Sequence, residues 1–356
     1  MNGHPPLLSQ ENLCKIGSIR QLAGIEPIAF REGKSDGVKA FDVRNGRLRY
    51  HVLADRGMDI GQVDVNGIPF AWMSSVGYAS SAYFESQGTG WLRNFSGGLL
   101  TTCGLTQTGE PCRDGQEELG LHGRVSNIPA TRVWHKEGWA DDRYRMYVGG
   151  TLTQTSVFAE HLQLERVIST EYGSNEILVE DTVVNCGFDR TPFMFMYHLN
   201  LGFPLVDENS VIVANVASVR SWDGTPDADV ENYNVIGAPS NIINEEVFHV
   251  DIVPDHRGQC SVMLVNRQKG IGFYVQYDSR QFTHFAMWKG IKKGIYCIGF
   301  EPANCGLNGR KKERESSGIE YLAPHESRQF SCKLGFMTSS EEIGTFEASI
   351  LSRSDS

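Results

Sequence analysis

Pairs of cysteines at metal-binding or redox spacing are missing from this chain. Its eight cysteines stand at 14, 103, 112, 186, 260, 297, 305 and 332, with no C-x-x-C among them. That scatter excludes a zinc ribbon and a thioredoxin-like motif and leaves reduced thiols as the simplest reading. Long apolar runs are missing too: no segment offers the 18 or more apolar residues of a membrane-spanning helix. The opening residues, MNGHPPLLSQENL, lack a charged stretch followed by an apolar one, so no export signal is read there. These absences together point to the cytoplasm and to no membrane partner. Basic charge is scarce, with 33 Lys and Arg against 43 Asp and Glu and a formal net charge of −10. Nucleic acid is therefore excluded as a partner, because neutralising phosphates takes a basic stripe. The one dense basic cluster, GRKKERE at 309–315, is expected to be a solvated loop. No fixed-period repeat and no Pro- or Ser-rich linker divides the chain, so one domain is expected.

What is present is the composition of a turn-rich globular protein, with 40% hydrophobic residues and 38 glycines. Short runs of alternating polar and apolar residues recur between about 39 and 337, separated by Gly, Asn and Asp. Examples are RLRYHVL (47–53), RYRMYVGGTLTQT (143–155), EILVEDTVVN (176–185), IGFYVQYD (271–278) and FTHFAMWK (282–289). Period-two patterning with such punctuation predicts an all-β protein, a large antiparallel β-sandwich. Helical signal is confined to the ends, at 9–16 and at 339–352, where serine and acidic residues open the second segment. The expected organisation is a core over 39–337, an N-terminal extension over 1–38 and a C-terminal helix and tail over 338–356.

Three strand-like runs carry a titratable residue where a core would prefer aliphatics. In LGLHGRVSN, His122 sits among glycines that permit close approach, with Arg124 two residues on. In MFMYHLNLGFPL, residues 194–205, Phe195, Tyr197 and Leu199 point one way, and Met194, Met196, His198 and Asn200 the other. In GIYCIGFEPANCG, Glu301 shares a face with Ile295, Cys297 and Gly299 at a strand end. Any one of these residues alone reads as a satisfied core or surface residue. Two histidines and a glutamate in apolar, glycine-rich strands together suggest a general acid and base poised near neutral pH.

In these segments the sequence resembles the aldose 1-epimerases, or galactose mutarotases, and in particular a less characterised, aldose-epimerase-like branch. ADRGMDIGQVDVNG (54–67) resembles an early strand and turn of that family, and WLRNFSGGLLTTCGL (91–105) its segment with a substrate-binding arginine. GLHGR resembles Leu-His-Gly-Gly, MYHLNLGFPL resembles His-Pro-Tyr-x-Asn-Leu, and IGFEPANC resembles the strand ending in the family's glutamate. LAPHESRQFSCKLGF resembles the closing turn and last strand, and the order of all six agrees. The resemblance implies the galactose mutarotase-like supersandwich with a few short capping helices. It also implies Glu301 as general base, His198 as general acid and His122 as a hydrogen-bond donor to the ring oxygen. Arg93, Asn200 and Arg124 then fall to substrate binding. His325 stands where the family's turn has glycine and is read as a surface residue. Arg124 replaces a second glycine, which raises two options: it binds an acidic group on the sugar, or it pairs with a nearby acid. Trp72, Trp91 and Trp288 are read as core rather than site residues.

The activity implied is interconversion of the anomers of a small sugar, with no metal and no cofactor. Two other readings use the same residues: a facial triad of two histidines and a carboxylate for iron or zinc, and a carbohydrate-binding module without turnover. The expected partner is a small-molecule sugar, and a monomer and a homodimer both remain open.

Overall fold

A computed structural model describes residues 10–222, 230–242 and 245–351. Two large antiparallel sheets face each other. The first has twelve strands and runs from Gly24–Ala29 through Lys39–Arg44, Leu48–Leu53, Asp59–Val65 and Leu100–Leu105 to Thr191–Leu201. It continues through Ile295–Ala303, His284–Lys292 and Glu245–Ile252 to Val216–Ser221, with two short strands paired beside this path. The second has eight strands, with Ser327–Met337 beside Glu176–Asn185 at its middle. The expected β-sandwich is observed, and the strands at 143–155, 176–185 and 271–278 coincide with the alternating runs in the sequence.

The alternation dictates the layering. Phe193, Phe195, Tyr197 and Leu199 are completely buried and belong to the hydrophobic cluster that fills the space between the sheets. The residues between them lie on the outer face of the twelve-stranded sheet. There a second, smaller cluster of Trp91, Phe95, Cys103, Met196, Ala286, Ala303 and Leu307 packs under long loops. Because side chains alternate with a period of two, one strand supplies both the central core and this outer cluster.

Helices are few and short. Gln10–Leu13 lies within the expected 9–16 segment, of which Ser9 is outside the described residues. Ser340–Leu351 begins where predicted. The Glu342 backbone N–H donates to Ser339 Oγ at 3.2 Å, and the Thr338 N–H donates to the Glu342 carboxylate at 2.8 Å, a reciprocal cap. Its buried Ile343 and Ile350 pack with Met263, Val265 and Tyr274 on the second sheet.

The basic cluster is a correction. Residues Arg310–Glu315 form a short helix with Arg310 and Glu313 buried, not a solvated loop. Arg310 donates to Asp114 at 2.8 Å and to Glu117 at 2.5 Å, and Arg314 also pairs with Asp114. The cluster's charge is thus spent on carboxylates distant in sequence.

One polar network crosses the core. Arg166, with a completely buried side chain on the second sheet, donates to both oxygens of Asp181 at 2.8 and 2.6 Å. It also reaches across to Asp59 Oδ1 at 3.1 Å and Thr102 Oγ1 at 2.8 Å on the first sheet. The Tyr197 hydroxyl donates to Asp181 at 2.6 Å, closing the bridge between the sheets. Removing the arginine strands the buried carboxylate of Asp181 without a cation, a loss of about 3–5 kcal/mol. Arg166→Met should therefore lower the free energy of urea unfolding by that amount, and a loss below about 1 kcal/mol would show that the bridge is not a constraint on the fold.

Candidate functional site

Strand register brings two of the polar residues together. Thr191–Leu201 pairs with Ile295–Ala303 so that Met196 faces Ala303 and Leu199 faces Phe300, which sets His198 opposite Glu301. Both side chains leave the sheet on its outer face, and His198 Nε2 stands 3.3 Å from Glu301 Oε1. Gly299, two residues before Glu301, leaves room for the pair. A Cβ there would lie 3.1 Å from Glu301 Oε1 and 3.2 Å from His198 Cε1.

His122 arrives from a loop. It has φ +56°, and the following Gly123 has φ +76°. A Cβ on Gly123 would come within 2.4 Å of the carbonyl oxygens of Gln107 and Gly104, so only glycine lets the loop lie this close to the Leu100–Leu105 strand. The His122 backbone N–H donates to Gly109 O, and the Gly109 N–H donates back to His122 Nδ1 at 3.3 Å. That leaves Nε2 as the protonated nitrogen of the neutral ring and a donor. The His122 and His198 rings meet edge to face, 5.7 Å between centroids.

Arg56, within the ADRGMDIG stretch, fixes the surrounding loops. Its buried guanidinium donates to the carbonyls of Ala79, Asn94 (2.9 Å) and Ser126 (3.1 Å), which belong to three separate loops. Trp91, held by the same loops, donates from Nε1 to Ser126 Oγ at 3.3 Å and lies 4.8 Å from the His122 ring.

The result is a cavity of about 510 Å³ with His122, His198 and Glu301 on its lining. Trp72, Trp91, Trp222 and Trp288 form much of its wall. Three of these, Trp72, Trp91 and Trp288, were expected in the core; instead they surround the polar group, with Trp288 5.6 Å from the His198 ring. The indole N–H groups of Trp222 and Trp288 and Nδ1 of His198 are buried without a hydrogen-bond partner among the described residues. Unsatisfied polar atoms of this kind are costly and mark where a ligand's polar groups would be received.

Burial sets the protonation of the pair. Desolvation pushes Glu301 up to about 8, with the like charge of Glu245 adding to it. Desolvation lowers His198 to about 3, helped by His122, against a weaker opposing pull from the Asn200 side chain. His122 falls to about 4 for the same reason, burial. At neutral pH the pair is therefore a carboxylic acid beside a neutral imidazole, with one proton between them.

The remaining predicted residues lie elsewhere. Arg93 is exposed, pairs with Glu85 at 3.4 Å and does not line the cavity. It occupies the last position of a short 3₁₀ turn, Gly90–Arg93, whose buried face is taken by Gly90 and Trp91. Arg124 is likewise exposed and off the lining, at the start of the turn Val125–Asn127. Neither an acidic partner nor a place at the cavity is found for it. Asn200 is buried beneath the site. It donates to Gly98 O at 3.1 Å and to His198 O at 3.0 Å, so it braces the strand that carries His198. His325, at φ +64°, is in a turn as expected. Trp222 and Glu245, which also line the cavity, have no local sequence signal. Among the described residues, no three His, Cys, Asp or Glu side chains are grouped as a metal site requires, so the facial triad has no geometric support. No disulfide joins any of the eight cysteines, and no helix among the described residues is long and apolar enough to cross a membrane.

A family model described as a domain of unknown function, DUF4432, matches residues 35–336. The chain belongs to the DUF4432 family. Its fold is similar to that of a "putative aldose 1-epimerase" from Klebsiella pneumoniae, with a TM-score of 0.89 at 22% identity, covering 96% of this chain and 90% of that one. It is similar to a galactose mutarotase-like protein from Clostridium acetobutylicum, with a TM-score of 0.66 at 15% identity over 89% and 99% of the two chains. The same holds for a galactose 1-epimerase from Lactobacillus acidophilus, with a TM-score of 0.56 at 14% identity over 89% and 99%. No curated protein matches the sequence. This DUF4432 member therefore has the galactose mutarotase-like sandwich that its motifs implied.

The electrostatics predict a titration. In NMR spectra of protein with isotope-labelled histidine, the His198 and His122 rings should keep neutral-imidazole shifts down to about pH 5, since their folded-state values lie at about 3 and 4. Protonation of either ring above pH 6 would mean that the cavity is wet enough to cancel the effect of burial.

Proposed function

We propose that this protein is a sugar mutarotase, an aldose 1-epimerase-like isomerase that interconverts the anomers of a small sugar by acid–base ring opening. The observation that carries the reading is the buried His198–Glu301 pair, 3.3 Å apart, on the wall of a tryptophan-lined cavity. Tryptophan faces suit the apolar face of a sugar ring, and the unpaired donors suit its hydroxyls.

The chemistry needs a base for the anomeric hydroxyl proton, an acid for the ring oxygen and room for the opened carbonyl to turn. A pair that holds one proton supplies both roles. When sugar hydroxyls hydrogen-bond the Glu301 carboxylate, its charged form is favoured and the proton moves to His198. Glu301 then takes the anomeric proton while His198 protonates the ring oxygen, to which His122 Nε2–H donates a hydrogen bond. After rotation about C1–C2 the hydroxyl attacks the other carbonyl face, and both protons return with roles reversed. No metal or cofactor enters. The chain would act as one domain, since a single hydrophobic cluster spans both sheets, and cysteines without disulfides fit a cytoplasmic setting.

Anomer exchange measured by NMR across a sugar panel tests this. Glu301→Gln should keep the circular dichroism spectrum and slow exchange by about 10²- to 10⁴-fold. Binding without exchange by the unaltered protein would point to a carbohydrate-binding module, and activity lost to a chelator and restored by iron or zinc to the metal reading.

The pH profile follows from the pair. Glu301 is raised to about 8, so the rate should fall as pH rises through that value and the pair loses its only proton. His198 is lowered to about 3, so the acid limb should fall only near that value, as a second proton is gained. A rate that instead drops between pH 6 and 5 would show that the neutral pair is not the active form.

A further inference from the structure

The charge of the cavity bears on the substrate. Three lining residues carry carboxyl groups, Glu110, Glu245 and Glu301, and no described lining residue is a lysine or arginine. The two arginines that might have received an anion, Arg93 and Arg124, are exposed and away from the lining. Glu301 is the proposed base; of the other two, both exposed, Glu245 is the one tied by the sheet to the Glu301 strand. It opens the strand Glu245–Ile252, which pairs with His284–Lys292 beside the Glu301 strand. Among the described residues no ion pair or hydrogen bond engages its carboxylate, while its neighbour Glu246 pairs with Lys289. Its field reaches the reacting pair, since it adds to the upward shift of Glu301.

We infer that the cavity selects its sugar by charge, with Glu245 as the specificity-determining residue: it accepts neutral and amine-bearing sugars and rejects uronic acids and sugar phosphates. This rests on the mutarotase reading of the same site. Three physical effects act in one direction. An anion in the cavity would sit near the exposed carboxylates of Glu245 and Glu110 with no cation among the described lining residues to match it, a repulsion that acts partly through water and is screened by salt. A protonated amine would meet an unpaired carboxylate and the faces of Trp72, Trp222 and Trp288, which attract cations. An anionic substrate would also oppose ionisation of Glu301, the step that makes it a base, whereas a cationic one would assist it.

The test compares matched probes on the full-length protein: D-glucose, D-glucosamine and D-glucuronic acid, with the three galacto counterparts, at a pH where the amine is protonated and the acid ionised. Anomer exchange by NMR gives kcat/KM for each. The expected order is amine equal to or above the neutral hexose, with the uronic acid at least about tenfold below it. Glu245→Gln should collapse the spread among the three, and Glu245→Lys should bring the uronic acid above the amine. Raising the salt concentration on the unaltered protein should narrow the spread without any substitution. A uronic acid turned over as well as the neutral hexose, or a spread untouched by Glu245→Gln in a folded variant, would overturn the inference and leave the mutarotase reading standing. Exchange of none of the six sugars would overturn both.

Discussion

The position of the His198–Glu301 pair is tied to a buried bridge between the two sheets. Arg166 and Asp181 leave the second sheet as a completely buried ion pair and hold the Tyr197 hydroxyl of the first. A buried pair of this kind adds little net stability against an apolar replacement, yet it is costly to break, so its effect is chiefly to define an arrangement. Here the arrangement is strand register. Tyr197 and His198 are neighbours on opposite faces of one strand, so a slip by a single residue would turn the histidine into the sandwich and the tyrosine out. The bridge is made with Tyr197 facing inward, and in the observed register His198 then lies on the outer face opposite Glu301.

A similar economy governs the loops above the sheet. Arg56 has carbonyl oxygens from three loops as its partners and no carboxylate among its hydrogen-bond acceptors. The charge it brings is dispersed over backbone dipoles, and the loops it gathers shield His122 and His198 from water. Burial then lowers both histidines and raises the glutamate. The neutral pair follows from where these loops sit more than from any special partner for either residue, since His198 Nδ1 has no hydrogen bond.

Sheet residues were legible in the sequence because alternation reports a face directly. His198 and Glu301 stood out as polar side chains where the pattern wanted apolar ones, and His122 through the glycine after it. Residues on short turns were not legible in the same way. Arg93 and Trp91 lie in one 3₁₀ turn, where two positions of separation decide which residue is buried, and no period of two or 3.6 reports that choice. Trp222, just past the strand Val216–Ser221, and Glu245, at the start of Glu245–Ile252, reach the cavity from far along the chain and have no local cue. The helix at Arg310–Glu315 was missed because its buried Arg310 is matched by Asp114 and Glu117, almost two hundred residues earlier. A charge run reads as solvated until its distant partners are known.

Fold similarity at 14–22% identity says how the sandwich is built and leaves the chemistry to the side chains. On the mutarotase reading proposed above, the modest demands of the reaction match the modest equipment of the cavity. Opening a hemiacetal ring creates no lasting charge when the proton removed and the proton supplied are exchanged through one pair. The site therefore needs few fixed charges, and a largely aromatic wall suffices to hold the ring while the carbonyl turns. Such a wall would be a poor host for a reaction that builds up a phosphate or carboxylate anion, because it has donors but no cation among its described lining residues. On that reading, the lack of lysine and arginine among the described lining residues and the single titratable proton of the His198–Glu301 pair have one physical reason: the chemistry begins and ends electrically neutral.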